Sequence, residues 1–292
     1  MAKRLHQSVK GSVVIQSRLG SLAAAHYAMR FASLVSATLL LCSATGCAAP
    51  RSPLAGVVLT IEFPEVGLTL DTMAGWGQGP AYATVHLPDD YSASGSYPVL
   101  LFLGGSTGGD GRGVSETRRI AAAAGGGFVS VNLPIFLHEV PPLAPDFSNR
   151  WTRLDIDDDD SERLWAAYRV MLERIHAIVP NIDRQRSVMG GFSNGAHATA
   201  ILLNREPAEI RQWFGRFFFY EGGERFTRMA SLEGAPIAIV QGMNQPNHWQ
   251  RPLHVRAVEA GVRVEWIELE GVGHEFTNAG VAKLGDWIRR HR

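Results

Sequence analysis

The chain has 292 residues, of which 46% are hydrophobic and two are cysteines. This composition is typical of a globular protein with a sizeable core and excludes an intrinsically disordered chain. The first 50 residues hold five of the 28 Lys and Arg residues and no Asp or Glu, so 23 basic residues face 28 acidic ones in the remainder. A mildly acidic remainder offers no basic face, and we expect no nucleic-acid partner.

An apolar segment near the start of the chain predicts export. Residues 30–47 read RFASLVSATLLLCSATGC, with a basic first residue, an apolar stretch and a run of small residues. The apolar stretch is shorter than the roughly 20 residues that a membrane-spanning helix needs, and the layout is that of a secretory signal. Because Met29 directly precedes this segment, residues 1–28 are either an overlong start or a long basic leader, and both Met1 and Met29 stay open as the true start.

The end of this segment, residues 44–47 (ATGC), resembles the lipobox of bacterial lipoproteins. The resemblance implies cleavage before Cys47, a lipid on Cys47 and attachment to a membrane through that lipid. The expected location is the periplasm or the cell surface, or the protein is secreted. The second cysteine, Cys42, lies in the same segment, so the rest of the chain must be stable without a disulfide bond.

Short apolar runs predict eight strands, at residues 56–63, 81–88, 97–105, 126–134, 186–191, 215–223, 235–242 and 262–271. From the third onward the runs are unbroken, which is typical of strands buried on both faces. Helical patterns lie between them, at residues 113–124, 158–179, 194–204, 248–260 and 278–291. The alternation predicts an α/β protein with a mostly parallel eight-stranded sheet and helices on both faces.

Two connections have an unusual composition. Residues 135–155 are rich in Pro and aromatic side chains and are too long for an ordinary strand-to-helix link, so they predict a lid-like loop or, alternatively, a packed surface loop. The acidic run at 155–160 matches either a calcium site or, more simply, the start of a helix, where carboxylates complement the helix dipole. We take the helix start and expect no metal.

A serine stands between glycines at the junction of a predicted strand and a predicted helix. Residues 191–195 read GFSNG, which matches the G-x-S-x-G pattern. In that context the glycines leave room for a tight turn that strains the serine backbone and exposes its hydroxyl above the sheet. Ser193 is therefore the predicted nucleophile.

A serine hydroxyl needs a general base within hydrogen-bond reach. His274 follows the last predicted strand, lies in a loop that contains glycine and precedes the final helix, so we predict that it is this base. Donors for a developing oxyanion are expected from the amide of Asn194, at the helix start, and from the amide of Ser106, in the glycine-rich loop 102–110. That loop lacks the G-x-x-x-x-G-K-[ST] pattern of a phosphate cradle.

The stretches YPVLLFLGGSTGGDG (97–111), NIDRQRSVMGGFSNGAH (181–197) and GVRVEWIELEGVGHEF (261–276) resemble the α/β-hydrolase superfamily. More narrowly, they are similar to secreted esterases related to polyhydroxybutyrate depolymerases and to feruloyl or acetylxylan esterases. The resemblance covers roughly residues 80–290. It implies a Ser–acid–His triad in that chain order and neither a metal nor an organic cofactor. Together with the export segment, it predicts a chain divided into that segment (1–47), a tether with the first strand (48–80) and a catalytic domain (81–292).

Two positions depart from the family pattern. Relatives usually carry a histidine before the oxyanion glycine, where this chain has Gly104. The family aspartate normally follows the seventh strand in a G-x-x-D setting, but here Gln245 takes its place, and no carboxylate occurs between Gly242 and Glu259. The acid that orients His274 must therefore come from elsewhere, or be absent.

Glu221, at the end of the sixth predicted strand, is the predicted replacement acid, because some lipases of the superfamily supply the acid from that strand. Glu224 competes with it for this role. The remaining alternative is that a neutral amide of Asn244, Gln245 or Asn247 orients the histidine, at a cost on the order of 10⁴ in turnover.

These residues together predict a serine hydrolase that cleaves a small-molecule or polymer carboxylic ester through an acyl-enzyme. Two alternatives stay open. One is a non-catalytic binding protein that kept the fold and lost the acid, and the other is a peptidase of the same fold.

Overall fold

The computed structural model describes residues 52–66, 81–105, 115–134, 158–244 and 250–292, together with the backbone of residues 13–16. The strands are β1 (Val13–Gln16), β2 (Val58–Phe63), β3 (Ala81–His86), β4 (Val99–Leu103), β5 (Val129–Asn132), β6 (Val188–Phe192), β7 (Arg216–Tyr220), β8 (Ile237–Gly242) and β9 (Val264–Leu269). The helices are α1 (Ser115–Ala123), α2 (Asp158–Ile178), α3 (Asn194–Arg205), α4 (Pro207–Ile210), α5 (Arg251–Glu259) and α6 (Asn278–Arg290). Short 3₁₀ turns occur at Pro64–Val66 and Met229–Leu232.

The strands form a single sheet in the order β1-β2-β3-β5-β4-β6-β7-β8-β9. The six strands from β4 to β9 run parallel to one another, while β1, β2 and β3 pair in antiparallel fashion at one side. All eight predicted strands are present, and the predicted fold class is confirmed. The ninth strand, β1, lies inside residues 1–47, which the sequence predicts to be an export segment.

Helices cover both faces of the sheet, which is why its central strands are apolar throughout. Phe217 and Phe219 of β7 belong to a core shared with α2, α3 and α5, whereas Phe218 and Tyr220 belong to a core shared with α1 and α6. This alternation is the two-residue period of a strand. Trp287 of α6, fully buried, anchors the second core. Among the described helices, none is both long and apolar enough to cross a bilayer.

The parallel strands bring four chain segments to one edge of the sheet. Strands β6, β7, β8 and β9 end at Phe192, Tyr220, Gly242 and Leu269. Because the carboxyl ends of parallel strands share an edge, the residues that follow these four positions meet there. The predicted site residues after β6, β7 and β9 are thus neighbours in space although they are far apart in sequence.

At the opposite edge of the sheet, where the parallel strands begin, the buried hydroxyl of Ser187 links two chain segments. Its Oγ accepts a hydrogen bond from the Val99 N–H (2.8 Å) and donates one to the Asp183 carbonyl (2.6 Å). Ser187 is fully buried, and it lies just before β6 and beside the start of β4.

We expect Ser187→Ala to lower the free energy of unfolding by about 1–3 kcal/mol, because the Val99 N–H loses its acceptor away from water. Urea unfolding followed by circular dichroism measures the change. Ser94→Ala is the matched control at an exposed position and should stay within about 0.5 kcal/mol of the wild type. Equal stabilities of the two variants would contradict this role of the hydroxyl.

Candidate active site

Ser193 lies in a tight turn between β6 and α3. Its backbone has φ 53° and ψ −117°, and its N–H donates to the Tyr220 carbonyl (2.9 Å). The flanking glycines allow close packing: a Cβ at Gly195 would collide with the Leu103 carbonyl, and one at Gly191 with the backbone of Gly195. A positive φ is unfavourable for a residue with a side chain, so the surrounding packing must hold this conformation.

The structure brings Ser193 and His274 together. His274 Nε2 lies 2.8 Å from Ser193 Oγ, which is hydrogen-bond distance. His274 lies in the loop between β9 and α6, and its side chain is 40% exposed. Its ring packs against the ring of Phe192, with centroids 5.2 Å apart, and this contact orients the imidazole over the serine.

Glu221 is the carboxylate that faces the other nitrogen of His274. Its Oε2 lies 3.5 Å from His274 Nδ1, which is ion-pair distance and slightly longer than a typical hydrogen bond. Catalytic hydrogen bonds are often long without substrate and shorten when it binds. A carboxylate at Nδ1 favours the tautomer with its proton there, so Nε2 keeps a lone pair for the Ser193 hydroxyl.

Glu221 is buried, with 4% of its surface exposed, and protein donors surround its carboxylate. Oε1 accepts from the Gly242 N–H, and Oε2 accepts from Gln241 Nε2 (3.2 Å). Like Ser193, Glu221 has a φ of 53°, and within the described residues these two are the only non-glycine residues with positive φ. Backbone strain of this kind is concentrated at functional sites.

Aromatic side chains fix the loop that carries His274. The Tyr220 hydroxyl accepts from the Thr277 N–H (3.2 Å), and burial raises the pKa of Tyr220, so the hydroxyl stays neutral. The Phe276 ring lies 5.1 Å from that of Tyr220 and 5.6 Å from that of Phe192. The loop is therefore held against β6 and β7 at two points next to His274.

Glu224, the competing acid, faces a different histidine. Its Oε2 lies 3.2 Å from Nδ1 of His197, a residue of α3 four positions after Ser193. His197 Nδ1 also accepts from the Gly223 N–H (3.2 Å). Burial lowers the pKa of His197, the nearby Glu224 carboxylate opposes that shift, and His274 adds to it. His197 is thus neutral at pH 7 and joins α3 to the loop after Glu221.

The other predicted site residues are placed as follows. Asn194 begins α3, so its amide points out of the helix N-terminus beside Ser193. Asn244 is held through its main chain, whose N–H donates to the Val272 carbonyl (2.8 Å). Ser106, Cys47, Gln245, Asn247, the loop 135–155 and the first part of the acidic run lie outside the described residues. Within the described part of the chain, no cluster of His, Cys, Asp and Glu could hold a metal ion.

Sequence reasoning missed several residues that contact the site: Gln241, Gln250, His197, Tyr220 and Phe276. A signal existed for two of them. His197 lies four residues after Ser193 and hence on the same side of the predicted helix. Gln241 is a lone polar side chain near the end of an apolar predicted strand. The other three have no local pattern that marks them.

Comparison with known proteins supports the fold. No protein-family model matches the chain, and no curated protein matches it. An esterase from Pyrobaculum calidifontis has a similar structure, with 14% sequence identity, 80% of this chain and 85% of that chain covered, and a TM-score of 0.52. A carboxylesterase from Bacillus cereus is 20% identical, with 66% of this chain and 88% of that chain covered and a TM-score of 0.48.

An S-formylglutathione hydrolase from Agrobacterium tumefaciens is 16% identical, with 82% of this chain and 96% of that chain covered and a TM-score of 0.49. The likeness to the Pyrobaculum structure, together with the strand order, shows that this chain has the α/β-hydrolase fold. The sequence resemblance is therefore confirmed at the level of the fold. The narrower likeness to polyhydroxybutyrate depolymerases and to feruloyl or acetylxylan esterases stays a prediction.

The lowered pKa of His197 makes stability depend on pH. In the unfolded chain the pKa of a histidine returns to about 6.5, so below that pH the unfolded state binds more protons than the folded state. Stability therefore falls as the pH decreases from about 6.5 towards the lower folded pKa. His197→Asn keeps an acceptor for the Gly223 N–H and does not titrate.

We expect His197→Asn to lose less stability than the wild type between pH 7.5 and pH 5.5. Urea unfolding of both proteins at the two pH values measures this difference, and the other histidines cancel because both chains contain them. Equal losses in the two proteins would show that His197 does not carry this pH dependence.

Proposed function

We propose that the chain is a serine hydrolase that cleaves carboxylic esters through an acyl-enzyme. The observation that carries the proposal is the chain of contacts from Ser193 to His274 and from His274 to Glu221. Ser193 Oγ lies 2.8 Å from one ring nitrogen of His274, and the Glu221 carboxylate lies 3.5 Å from the other. A nucleophile, a base and a group that orients the base are thus in the relation that such catalysis requires.

In the first half of the proposed reaction, Ser193 Oγ attacks the ester carbonyl carbon and His274 Nε2 takes the hydroxyl proton. The Glu221 carboxylate stabilises the resulting imidazolium, and its burial strengthens that interaction because little water screens it. The carbonyl oxygen becomes an oxyanion, which accepts a hydrogen bond from the Asn194 amide at the start of α3 and, as the sequence predicts, from the Ser106 amide.

In the second half, the tetrahedral intermediate collapses and the ester C–O bond breaks. The alcohol leaves with the proton from His274, and Ser193 keeps the acyl group. A water molecule then gives a proton to His274 Nε2 and attacks the acyl carbon. Return of that proton to Ser193 releases the acid and restores the starting state, so no cofactor is consumed.

Esters are the favoured substrates for two reasons. The Pyrobaculum structure with which the chain shares its fold is an esterase. The side chain of His274 is 40% exposed and can protonate a departing alkoxide. An ester releases an alkoxide more readily than an amide releases an amine. The peptidase alternative is tested by the same assays with amide substrates. The substrate is a small-molecule or polymer ester.

The non-catalytic alternative loses its main support. It rested on the missing carboxylate after β8, and Glu221, at the end of β7, places a carboxylate beside His274 instead. The strained backbone at Ser193 and Glu221 argues in the same direction, because a protein without catalytic function has no reason to retain strain of about 1–3 kcal/mol at each of two residues.

We also propose that residues 1–47 direct export and that the chain is anchored to a membrane by a lipid on Cys47. Cleavage before Cys47 would remove β1 and make β2 the edge strand. The pairing of β2 with β3 over Val58–Phe63 does not involve β1, so the other eight strands keep their register.

The triad predicts graded losses of activity. Ser193→Ala should lower kcat for p-nitrophenyl esters by on the order of 10⁶ and abolish labelling by a fluorophosphonate probe, because the nucleophile is gone. Glu221→Gln should lower kcat by on the order of 10⁴, since the imidazolium loses its counter-charge. Glu224→Gln is the matched control and should stay within a few-fold of the wild type, because its carboxylate faces His197.

Circular dichroism and melting curves must first show that each variant is folded. Full turnover in Ser193→Ala would overturn the serine mechanism. A larger loss in Glu224→Gln than in Glu221→Gln would transfer the role of the acid to Glu224. A folded wild type that neither takes the probe nor hydrolyses any ester would favour the non-catalytic alternative.

The anchor is tested by expressing the full chain in a bacterium with radiolabelled palmitate. The wild type should incorporate label and appear in the membrane fraction. Cys47→Ser should lose both properties and accumulate as the uncleaved precursor. Cys42→Ser, five residues earlier, is the matched control and should keep the label. Equal labelling of both variants would exclude Cys47 as the modified residue.

A further inference from the structure

The conformation and the burial of Glu221 are both unfavourable. Its φ of 53° is unfavourable, and the residue is only 4% exposed, so its carboxylate is largely removed from water. A strained backbone conformation of this kind persists only when contacts with neighbouring groups hold it in place. Besides the main-chain bonds from Gly242 and to Val240, two buried glutamine side chains that take no part in the proposed reaction hydrogen-bond to Glu221 or to the chain beside it.

The first glutamine, Gln241, orients the carboxylate. It is the last residue but one of β8, the strand next to β7, and only 2% of its surface is exposed. Its Nε2 donates to Glu221 Oε2 (3.2 Å) and to the Gly242 carbonyl (2.9 Å). Its Oε1 accepts from the Gln250 N–H (3.3 Å). Contacts at both ends of the amide fix its orientation, so the amide presents a donor to the carboxylate.

The second glutamine, Gln250, holds the backbone that carries Glu221. It immediately precedes α5, its side chain makes no capping hydrogen bond to that helix, and it is 1% exposed. Its Nε2 donates to the Phe219 carbonyl (3.1 Å) and the Gly222 carbonyl (2.6 Å), which lie on either side of Glu221 in the chain. Its Oε1 is buried without a hydrogen-bond partner in the described structure. The two bonds from Nε2 hold the chain on both sides of Glu221 to the start of α5.

We propose that Gln241 and Gln250 are positioning residues for the acid of the triad. Gln241 directs Oε2 of Glu221 towards His274, and Gln250 clamps the strained backbone on which Glu221 sits. This inference rests on the function proposed above and concerns only how the acid is held.

Loss of either amide should affect the chemical step more than substrate binding. Within the described residues, neither glutamine hydrogen-bonds to the hydroxyl of Ser193 or the ring of His274, so KM should stay within about three-fold. Small displacements of a catalytic group cost up to about 10² in rate. We therefore expect Gln241→Met and Gln250→Met, which keep the side-chain length without the donor, each to lower kcat by about 10- to 100-fold.

A double-mutant cycle separates positioning from a general structural effect. If Gln241 acts through the Glu221 carboxylate, Gln241→Met should lower kcat in the wild-type background and change it less than about three-fold in the Glu221→Gln background. An effect independent of Glu221 would lower kcat by the same factor in both. The cycle is repeated with Gln250→Met, and Gln241→Asn, which keeps a buried amide, replaces Gln241→Met if that variant does not fold.

Ser187→Ala is the control for loss of a buried hydrogen bond, because it acts at the opposite edge of the sheet and should leave kcat unchanged. Folded Gln241→Met with wild-type kcat, or equal factors in both backgrounds, would overturn the inference. Fluorophosphonate labelling of the wild type at Ser193 would still uphold the proposed function in that case. A wild type without labelling or turnover would overturn both.

Discussion

The lateral pairing of β6, β7 and β8 sets the geometry on which the site depends. In the register of these strands Phe192 lies beside Tyr220, and Tyr220 beside Val240. One residue further, the Ser193 N–H donates to the Tyr220 carbonyl (2.9 Å) and the Glu221 N–H donates to the Val240 carbonyl (2.9 Å). The ladder thus continues one step past each strand, and at that step both backbones turn to a φ of 53°. Main-chain hydrogen bonds thus fix the backbone of Ser193 relative to that of Glu221.

This arrangement divides the site into a rigid part and an open part. The serine and the carboxylate belong to the sheet, whereas His274 belongs to a loop and meets solvent. Aromatic packing and the Tyr220 hydroxyl limit how far that loop can move. The Glu221 carboxylate is shielded from water by its burial. Its electric field on the His274 imidazole is therefore strong, because little water screens it. In the proposed reaction, the accessible His274 is the group that exchanges protons with substrate and water.

The fold and part of the candidate site could be predicted from the sequence, and there are physical reasons why the rest could not. Buried strands and amphipathic helices produce continuous periodic signals, so all eight predicted strands and all five predicted helices could be located. The turn at Ser193 requires glycines within the chain itself and is therefore visible locally. A choice between Glu221 and Glu224 is not visible, because it depends on where the Gly222–Gly223 turn aims each side chain. The contacts of Gln241 and Gln250 cross between strands and are absent from any local pattern.

Because the proposed acid, Glu221, directly follows β7, the connection after β8 does not have to supply it. That connection needs Gly242, where a Cβ would collide with the Gly273 carbonyl, and Gln250 at its far end. The proposed reaction assigns no role to the side chains between them. Length and composition can therefore vary there during evolution without removing a residue of the proposed triad.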